Sequence, residues 1–485
     1  MRLSTRIIWN SLVQVASKVL GTVFGLLAIA LITRYMGSSG FGRYSTVIAF
    51  ASVFAIVADL GLTLVTSQLI NKKGAEEGRI LSNLFAFRLV SAILIMAPAP
   101  LLVLLMPYGA EVKQGVWLAS LAFLLTSLNQ VFVGLFQKHL RTDRIAVAEI
   151  SSRLLLAIGV WYAINQNWGL VGILCVTVLA NLLSFLVHIW FSRRYAAIGL
   201  RFDWPIWREI MSKSWPLLTT IVLNLIYLKA DIIILSLLKS DHEVGLYGAA
   251  YKIVDVLVSL PFMFAGILLP IMVAHWSAGR MAEYRLVWQK FFDYTVILVL
   301  PLVAGGIVLA EPIMRLVAGR DFEGSGGVLR VLMLAVGAVF MSCFYTHTMV
   351  SFEKQRKLIA FYLFTALTAL PLYYVLIVRY SYYGAAWATV YSEAAMLAGS
   401  VWVVWRTAQL RPRLKLALIS LISSVLMALL IWPVLPWLQS SVQTVLAVVL
   451  GLVIYLVAMI LMGGLNKSDL AMLSNKQAAP TITYE

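Results

Sequence analysis

The sequence predicts an all-α integral membrane protein of about fourteen transmembrane helices. Three observations carry this. Of 485 residues, 61% are hydrophobic and only 12% charged, against about 45–50% and about 25% in a soluble domain. Apolar runs long enough to cross a bilayer, which takes about 20 residues of helix, recur along the chain and lack the strict alternation of barrel strands. Most Lys and Arg sit in short segments between these runs, mainly on one side. The net charge of +17 therefore reports membrane orientation, and no nucleic acid is implied.

The first run, about 7–33, follows the short basic segment Met1 to Arg6. It is too long for a signal-peptide core of about 7–15 residues and meets no Ala-x-Ala-like site, so it reads as an uncleaved span. Further spans fall at about 44–70, 81–106, 115–137, 145–164, 169–191, 215–238, 244–273, 287–309, 327–350, 358–378, 384–405, 415–435 and 443–463. With the N-terminus inside, the inner segments hold 24 of the 38 basic residues and the outer ones 7. That bias places both termini in the cytoplasm.

The longest inner segment runs over 192–213. Trp204, Ile206, Trp207, Ile210 and Met211 alternate there with Arg201, Arg208 and Lys213. This pattern suits an amphipathic helix in the headgroup layer; a plain surface connector is the alternative. The expected organisation is an N-lobe at 1–192 (spans 1–6), the linker at 193–213, a C-lobe at 214–406 (spans 7–12), spans 13–14 at 407–465 and a cytoplasmic tail at 466–485. The halves look related. Phe41-Gly42-Arg43-Tyr44 is echoed by Val244-Gly245-Leu246-Tyr247, and Trp168-Gly169 by Tyr383-Gly384. Six spans per half make the two repeats parallel, related by an axis along the membrane normal.

Charges inside the spans are the least ordinary feature. One ion at mid-membrane costs about 2.5–3.5 kcal/mol on insertion scales. Lys229 and Asp231 precede a short turn, Lys252 and Asp255 follow it, and Lys18, Arg88, Arg153, Asp59 and Glu393 lie in other spans. Ordinary pairings account for some. Glu149 and Arg153 have the i,i+4 spacing of an intrahelical pair; Lys252 can neutralise Asp255 or meet Asp231; Lys290, Asp293 and Arg330 lie near span ends, where side chains snorkel. Lys18 and Arg88 have no acid three or four residues away; each either pairs across to another helix or lines water, and the water-lining reading is preferred. Cations on spans 1, 3, 7 and 8 would form a positive chamber that concentrates anions and donates charge-assisted hydrogen bonds to phosphate.

Nothing points to catalysis. No P-loop or His-Glu-x-x-His occurs, the five His are scattered, and Cys175 and Cys343 fall within spans. Gly37-Ser38-Ser39-Gly40 reads as a turn, not a nucleophile elbow, since no strand precedes it. The loop at 310–326, with Arg315, Arg320, Asp321 and Glu323, is too small for a glycan polymerase or ligase.

Several stretches, in order and at span boundaries, carry a resemblance: Arg34-Tyr35-Met36-Gly37, Phe41-Gly42-Arg43-Tyr44, Asp59-Leu60-Gly61-Leu62, Asp231-Ile232-Ile233-Ile234-Leu235, Val244-Gly245-Leu246-Tyr247 and Ala250-Tyr251-Lys252. Over about 1–410 the chain resembles the Wzx-type polysaccharide flippases of the multidrug/oligosaccharidyl-lipid/polysaccharide exporter superfamily. That resemblance implies two six-helix lobes around a positively charged cavity, plus two extra C-terminal helices, in the bacterial inner membrane. It also implies alternating-access transfer of a polyprenyl-pyrophosphate-linked oligosaccharide to the outer leaflet, with polymerase and chain-length machinery as possible partners.

Ser17-Lys18-Val19-Leu20-Gly21 and Ala250-Tyr251-Lys252-Ile253 resemble the related lipid II flippases' Ser-Arg-x-Leu-Gly and Ala-x-Arg-Leu, whose first Arg binds pyrophosphate. Here both are Lys, which lacks the bidentate fork, so the phosphate role is kept and the fine head-group geometry is not; a further basic position is Phe24, and that departure argues against lipid II itself. The expected head-group residues are Lys18, Arg88, Lys229 and Lys252. Asp59, Asp231, Asp255, Glu393 and Thr389 are the candidate coupling or pairing residues, with H⁺ or Na⁺ (at Asp231) as coupling ion and no cofactor. Spans 13 and 14 resemble the lipid II flippases' extra pair that borders a lipid-tail groove; serving as packing alone is the alternative. The alternative is a multidrug or small-solute antiporter, against which Lys18 and Arg88 weigh because they repel cationic drugs.

Overall fold

The computed structural model describes residues 3–70, 76–215 and 229–464. Among them all regular elements are helices. In chain order the α-helices are α1 (Leu3–Asp59), α2 (Leu62–Ile70), α3 (Glu77–Met96), α4 (Pro98–Leu102), α5 (Ala110–Lys138), α6 (Thr142–Asn165), α7 (Gly169–Ser192), α8 (Ala230–Leu238), α9 (Asp241–Ser277), α10 (Met281–Val308), α11 (Ala310–Val317), α12 (Ser325–Ser351), α13 (Ile359–Ala408), α14 (Lys415–Ile431) and α15 (Ser441–Leu461). A linker helix covers 204–215.

Eleven described helices are long and apolar enough to cross a membrane. Two of them, at Leu20–Asp59 and Arg356–Ala408, run to 40 and 53 residues. At about 1.5 Å per residue each is about twice the length one crossing needs, and each holds two expected spans. Of the seventh expected span, 215–238, residues 216–228 lie outside the described residues, and its last part is α8. The count of about fourteen is consistent with this. Also outside the described residues lie Lys72, Lys73 and the tail at 466–485.

The sharpest turns are made by single residues. Gly37 has φ 63° and joins the two halves of α1 without a loop; the expected Gly37–Gly40 turn reduces to this one left-handed residue, which glycine adopts freely. A second break divides span 2. α1 stops at Asp59, Leu60 (φ 50°) and Gly61 (φ 68°) are both left-handed, and α2 starts at Leu62. A bulky residue at positive φ is unusual. Ser381 (φ 52°) breaks α13 in the same manner, and its hydroxyl donates to the Glu243 carboxylate.

The chain forms two compact units: 1–252 with 317–323 and 362–392, and 253–316 with 324–361 and 393–485. In the first, Leu81, Leu84 and Phe87 of α3 pack with Phe132 and Phe136 of α5, Phe191 of α7 and Ile210 of the linker helix. The linker's apolar residues therefore divide. Ile206, Trp207 and Ile210 pack on this core, while Trp204 and Met211 are exposed together with Leu200, Phe202 and Trp215. In the second unit, α14 and α15 pack on α10 through Met427, Ile431, Tyr455 and Val308. The Tyr455 hydroxyl donates to the Ile297 carbonyl at 2.8 Å.

Candidate functional site

Arg88 does not line water. Its side chain is 1% exposed and pairs with Asp59. Nε also donates to Ser127 Oγ of α5 at 3.1 Å, and Asp59 Oδ1 accepts from Thr63 Oγ1 at 2.9 Å. The broken span 2 explains the pairing: α1 ends at Asp59, and both α3 and α2 donate to its carboxylate. This overturns the water-lining reading of Arg88 in favour of its alternative, a pair with another helix, and assigns Asp59 a pairing role. Sequence spacing could not reveal a partner on another helix.

The N-terminal cations stand differently. Lys18 is exposed on α1, and among the described residues it forms no ion pair. One turn on, a Cβ placed on Gly21 would meet Glu149 Oε1 at 3.5 Å and Arg153 Cγ at 3.9 Å, and one on Gly25 would meet Arg153 Nη1 at 3.8 Å. Glu149 and Arg153 of α6 thus both lie against the α1 face that carries Lys18. They make no ion pair with each other, so the expected intrahelical pair is not formed. Arg153, set aside by that reading, lies against the same α1 face as Lys18, with the Glu149 carboxylate beside it.

The two Gly-x-Tyr stretches meet. A Cβ on Gly42 would fall 1.8 Å from the Asp241 carbonyl oxygen, and one on Gly245 would fall 1.9 Å from that of Ser38. Only glycine permits this approach of α1 to α9. Beside it Ser38 Oγ and His242 Nδ1 lie 2.6 Å apart. Two residues on, Tyr247 turns inward and donates to Asp231 Oδ2 at 2.7 Å. Asp231 is 1% exposed, and its Oδ1 accepts from the Ile232 amide at 2.7 Å. Tyr247 is 3.1 Å from Thr389 Oγ1, which is 3.1 Å from the Tyr373 hydroxyl. Ser392 closes the chain, 3.5 Å from Tyr373.

Asp231 and Thr389, expected together, are thus joined through Tyr247. That residue, Tyr373 and Ser392 are additions. The repeated Gly-x-Tyr was a visible signal for Tyr247; nothing in the local sequence marked the other two. Glu393, one turn beyond Thr389, is 8% exposed. Lys229 and Lys252 are half-buried, and the Lys229 ammonium lies 5.0 Å from the Tyr251 ring centroid, a cation–π contact. Asp255 is exposed. No group of three or more His, Cys, Asp or Glu suited to a metal occurs among the described residues.

The model of the family described as polysaccharide biosynthesis protein matches residues 5–276, more than half of the chain. The chain belongs to this family. Its match therefore covers Lys18, Arg88, Arg153, Lys229, Asp231 and Lys252. Among curated proteins the chain is 22% identical over 317 residues to the probable low-salt glycan biosynthesis flippase Agl15 of Haloferax volcanii, covering 65% of this chain and 66% of that relative, just under two thirds of its length. Among solved structures it is similar to lipid II flippase MurJ in an inward closed conformation, with TM-score 0.73, 15% identity, and 94% and 98% of the two chains covered. An inward-facing multidrug resistance MATE family transporter of the MOP superfamily gives TM-score 0.66 at 15% identity, covering 82% of this chain and 98% of its own. At these identities the likeness is one of fold. The family match bears out the polysaccharide side of the resemblance, and the fold is the one these flippase and transporter structures share.

Proposed function

We propose that the chain moves a polyprenyl-pyrophosphate-linked oligosaccharide from the cytoplasmic to the outer leaflet by alternating access. The observation that carries this is the α1 face that gathers Lys18 and Arg153, two cations with Glu149 beside them, in a member of a polysaccharide biosynthesis family. Arg88 being neutralised, these two take the pyrophosphate on the N-terminal side, and Lys252 with Lys229 takes it on the other. Each Lys or Arg bond to a phosphate oxygen is charge-assisted. A cationic drug would be repelled here, which weighs against the antiporter reading.

An apolar cavity of about 580 Å³ supports a place for the lipid tail. Ile253 and Phe264 of α9, Leu298 of α10, Met333 of α12, Met427 of α14 and Gly451 of α15 contribute to its wall. The coupling site is Asp231 with Tyr247, Thr389 and Tyr373, the ion H⁺ or Na⁺. Charge bias puts both termini in the cytoplasm.

The test is restoration of surface glycan in cells lacking the chain. Lys18→Ala, Arg153→Ala and Lys252→Ala each remove a charged hydrogen bond of about 1.5–3 kcal/mol. Each is expected to lower transfer of the defined lipid-linked sugar in vesicles roughly ten- to a hundredfold at unchanged expression. Full transfer by all three variants would remove the head-group assignment. Running the vesicles under a proton gradient or a sodium gradient separates the two ions.

A further inference from the structure

A second polar cavity, of about 430 Å³, opens where the start of α10 meets the segment after α13. Arg285, Leu286 and Gln289 of α10 line it from one side, and Gln409, Arg411 and Arg413 from the other. Its size is that of a ligand pocket, about 300–1,000 Å³. The three guanidiniums carry three charges, and among the described residues none has a carboxylate in ion-pair range. The carboxylate beside the clamp, Asp293, accepts from Gln289 Nε2 at 2.8 Å.

The pocket is also held in shape. Gln289 clamps the backbone of Arg413 in both directions: Oε1 accepts the Arg413 N–H at 2.9 Å, and Nε2 donates to its carbonyl at 3.2 Å. Gln409 is left-handed, φ 52°, and turns the chain off α13 into the pocket wall. The Arg411 guanidinium is 5.9 Å from the Trp405 ring centroid. Guanidiniums without a carboxylate partner, gathered at one pocket, are what recognise a phosphate, through forked hydrogen bonds.

The surroundings say which phosphate. Leu286, Leu414 and Trp405 beside the pocket are exposed by 60%, 56% and 43%. Both elements lie at span ends on the side that charge bias assigns to the cytoplasm. Basic pockets between transmembrane helices at that level bind lipid head groups, and the adjoining apolar surface suits an acyl chain. A soluble phosphate would have no use for it.

We propose that this pocket binds the phosphate of an anionic membrane lipid. The site is separate from Lys18, Arg153 and Asp231, and it stands whether or not the chain moves a glycan. The Arg triad supplies the charge, Gln289 positions Arg413, and Leu286 and Leu414 border the lipid chain.

The experiment is native mass spectrometry of the full chain in detergent, titrated with phosphatidylglycerol, phosphatidylcholine or inorganic phosphate. Phosphatidylglycerol is expected to stay bound at least about tenfold more tightly than the zwitterionic lipid, as one charged contact implies. Arg285→Gln with Arg411→Gln and Arg413→Gln should abolish that preference. Removing two charges elsewhere on the same side, Arg193→Gln with Arg194→Gln, should leave it intact. The single variant Gln289→Ala, which keeps all charges, should weaken retention severalfold by releasing Arg413. Retention by the triple variant overturns the proposal, as does an equal loss in the Arg193 and Arg194 control, which would mean diffuse attraction. Inorganic phosphate bound as tightly as the lipid would also overturn it, since the occupant would then be soluble. All three arginines are exposed, so folding is expected to survive their loss, and gel filtration verifies it.

Discussion

Arg88 and Asp59 sit on different helices, and either alone would be a costly charge inside a bilayer. Together, with Ser127 and Thr63 as further partners, they neutralise each other, and among the described residues Arg88 Nη1 alone of its guanidinium nitrogens is buried without a hydrogen bond. Removing one member of such a pair typically costs about 3–5 kcal/mol, whereas replacing both with apolar groups is often close to neutral. Arg88→Met is therefore expected to lower the melting temperature in detergent sharply, and Asp59→Leu added to it should recover most of the loss. A substrate-binding arginine would behave otherwise: its removal would spare stability and abolish transfer, so melting and transfer measured side by side decide the matter. Lys18 was legible in the sequence because its neighbours three and four residues away include no acid. The pairing of Arg88 was not, since its partner is 29 positions away on a helix whose break puts the carboxylate within reach. Arg153 was passed over for a different reason: the i,i+4 acid in its sequence, Glu149, promised a pair that does not form, and both side chains lie against α1 instead.

At the scale of elements, the crossing of α1 over α9 depends on two glycines. Lipid supplies no hydrophobic force between helices, so close backbone contact and small residues must hold them. Gly42→Ala and Gly245→Ala each put a methyl less than 2 Å from a backbone carbonyl oxygen, a clash that only separation of the helices relieves. Each is expected to cost about 1–3 kcal/mol or more, read as loss of the monodisperse peak in gel filtration. Gly266→Ala serves as the contrast: among the described residues no atom outside its own turn of helix lies within 4 Å of its added Cβ, and the better helix propensity favours it by up to about 1 kcal/mol. The Gly-x-Tyr pattern was visible twice in the sequence as a mark of repetition. That its copies touch was not, because Ser38 and His242 are 204 residues apart and no local periodicity encodes such a distance. Helix identity, by contrast, followed from length and apolarity alone.

Across the whole molecule, the segment between the sixth and seventh spans is neither a floating connector nor a purely interfacial helix. Its backbone and side chains are sewn to α3. Asp203 Oδ2 accepts from Arg79 Nε and Asn83 Nδ2, both at 2.9 Å. The Asp203 amide donates to Asn83 Oδ1 at 2.7 Å, and the Gly199 amide to Ser82 Oγ at 3.0 Å. The amphipathic pattern was readable, but which apolar residues face protein and which face lipid was not. That choice is made by this anchoring, not by helical period. The hydrogen bonds from Arg79 and Asn83 hold the Asp203 carboxyl below its usual range. A carboxylate lowered in the folded state contributes stability above its unfolded pKa, about 3.9, and loses it as pH falls through the lower folded value. Amide exchange of residues 197–210 is therefore expected to accelerate, relative to the exposed-peptide rate, as pH drops below about 4. Asp203→Asn should exchange faster at neutral pH and show no such transition. A transition of equal size in that variant would place the titrating group elsewhere and leave the Arg79–Asp203–Asn83 contact without a part in anchoring the linker.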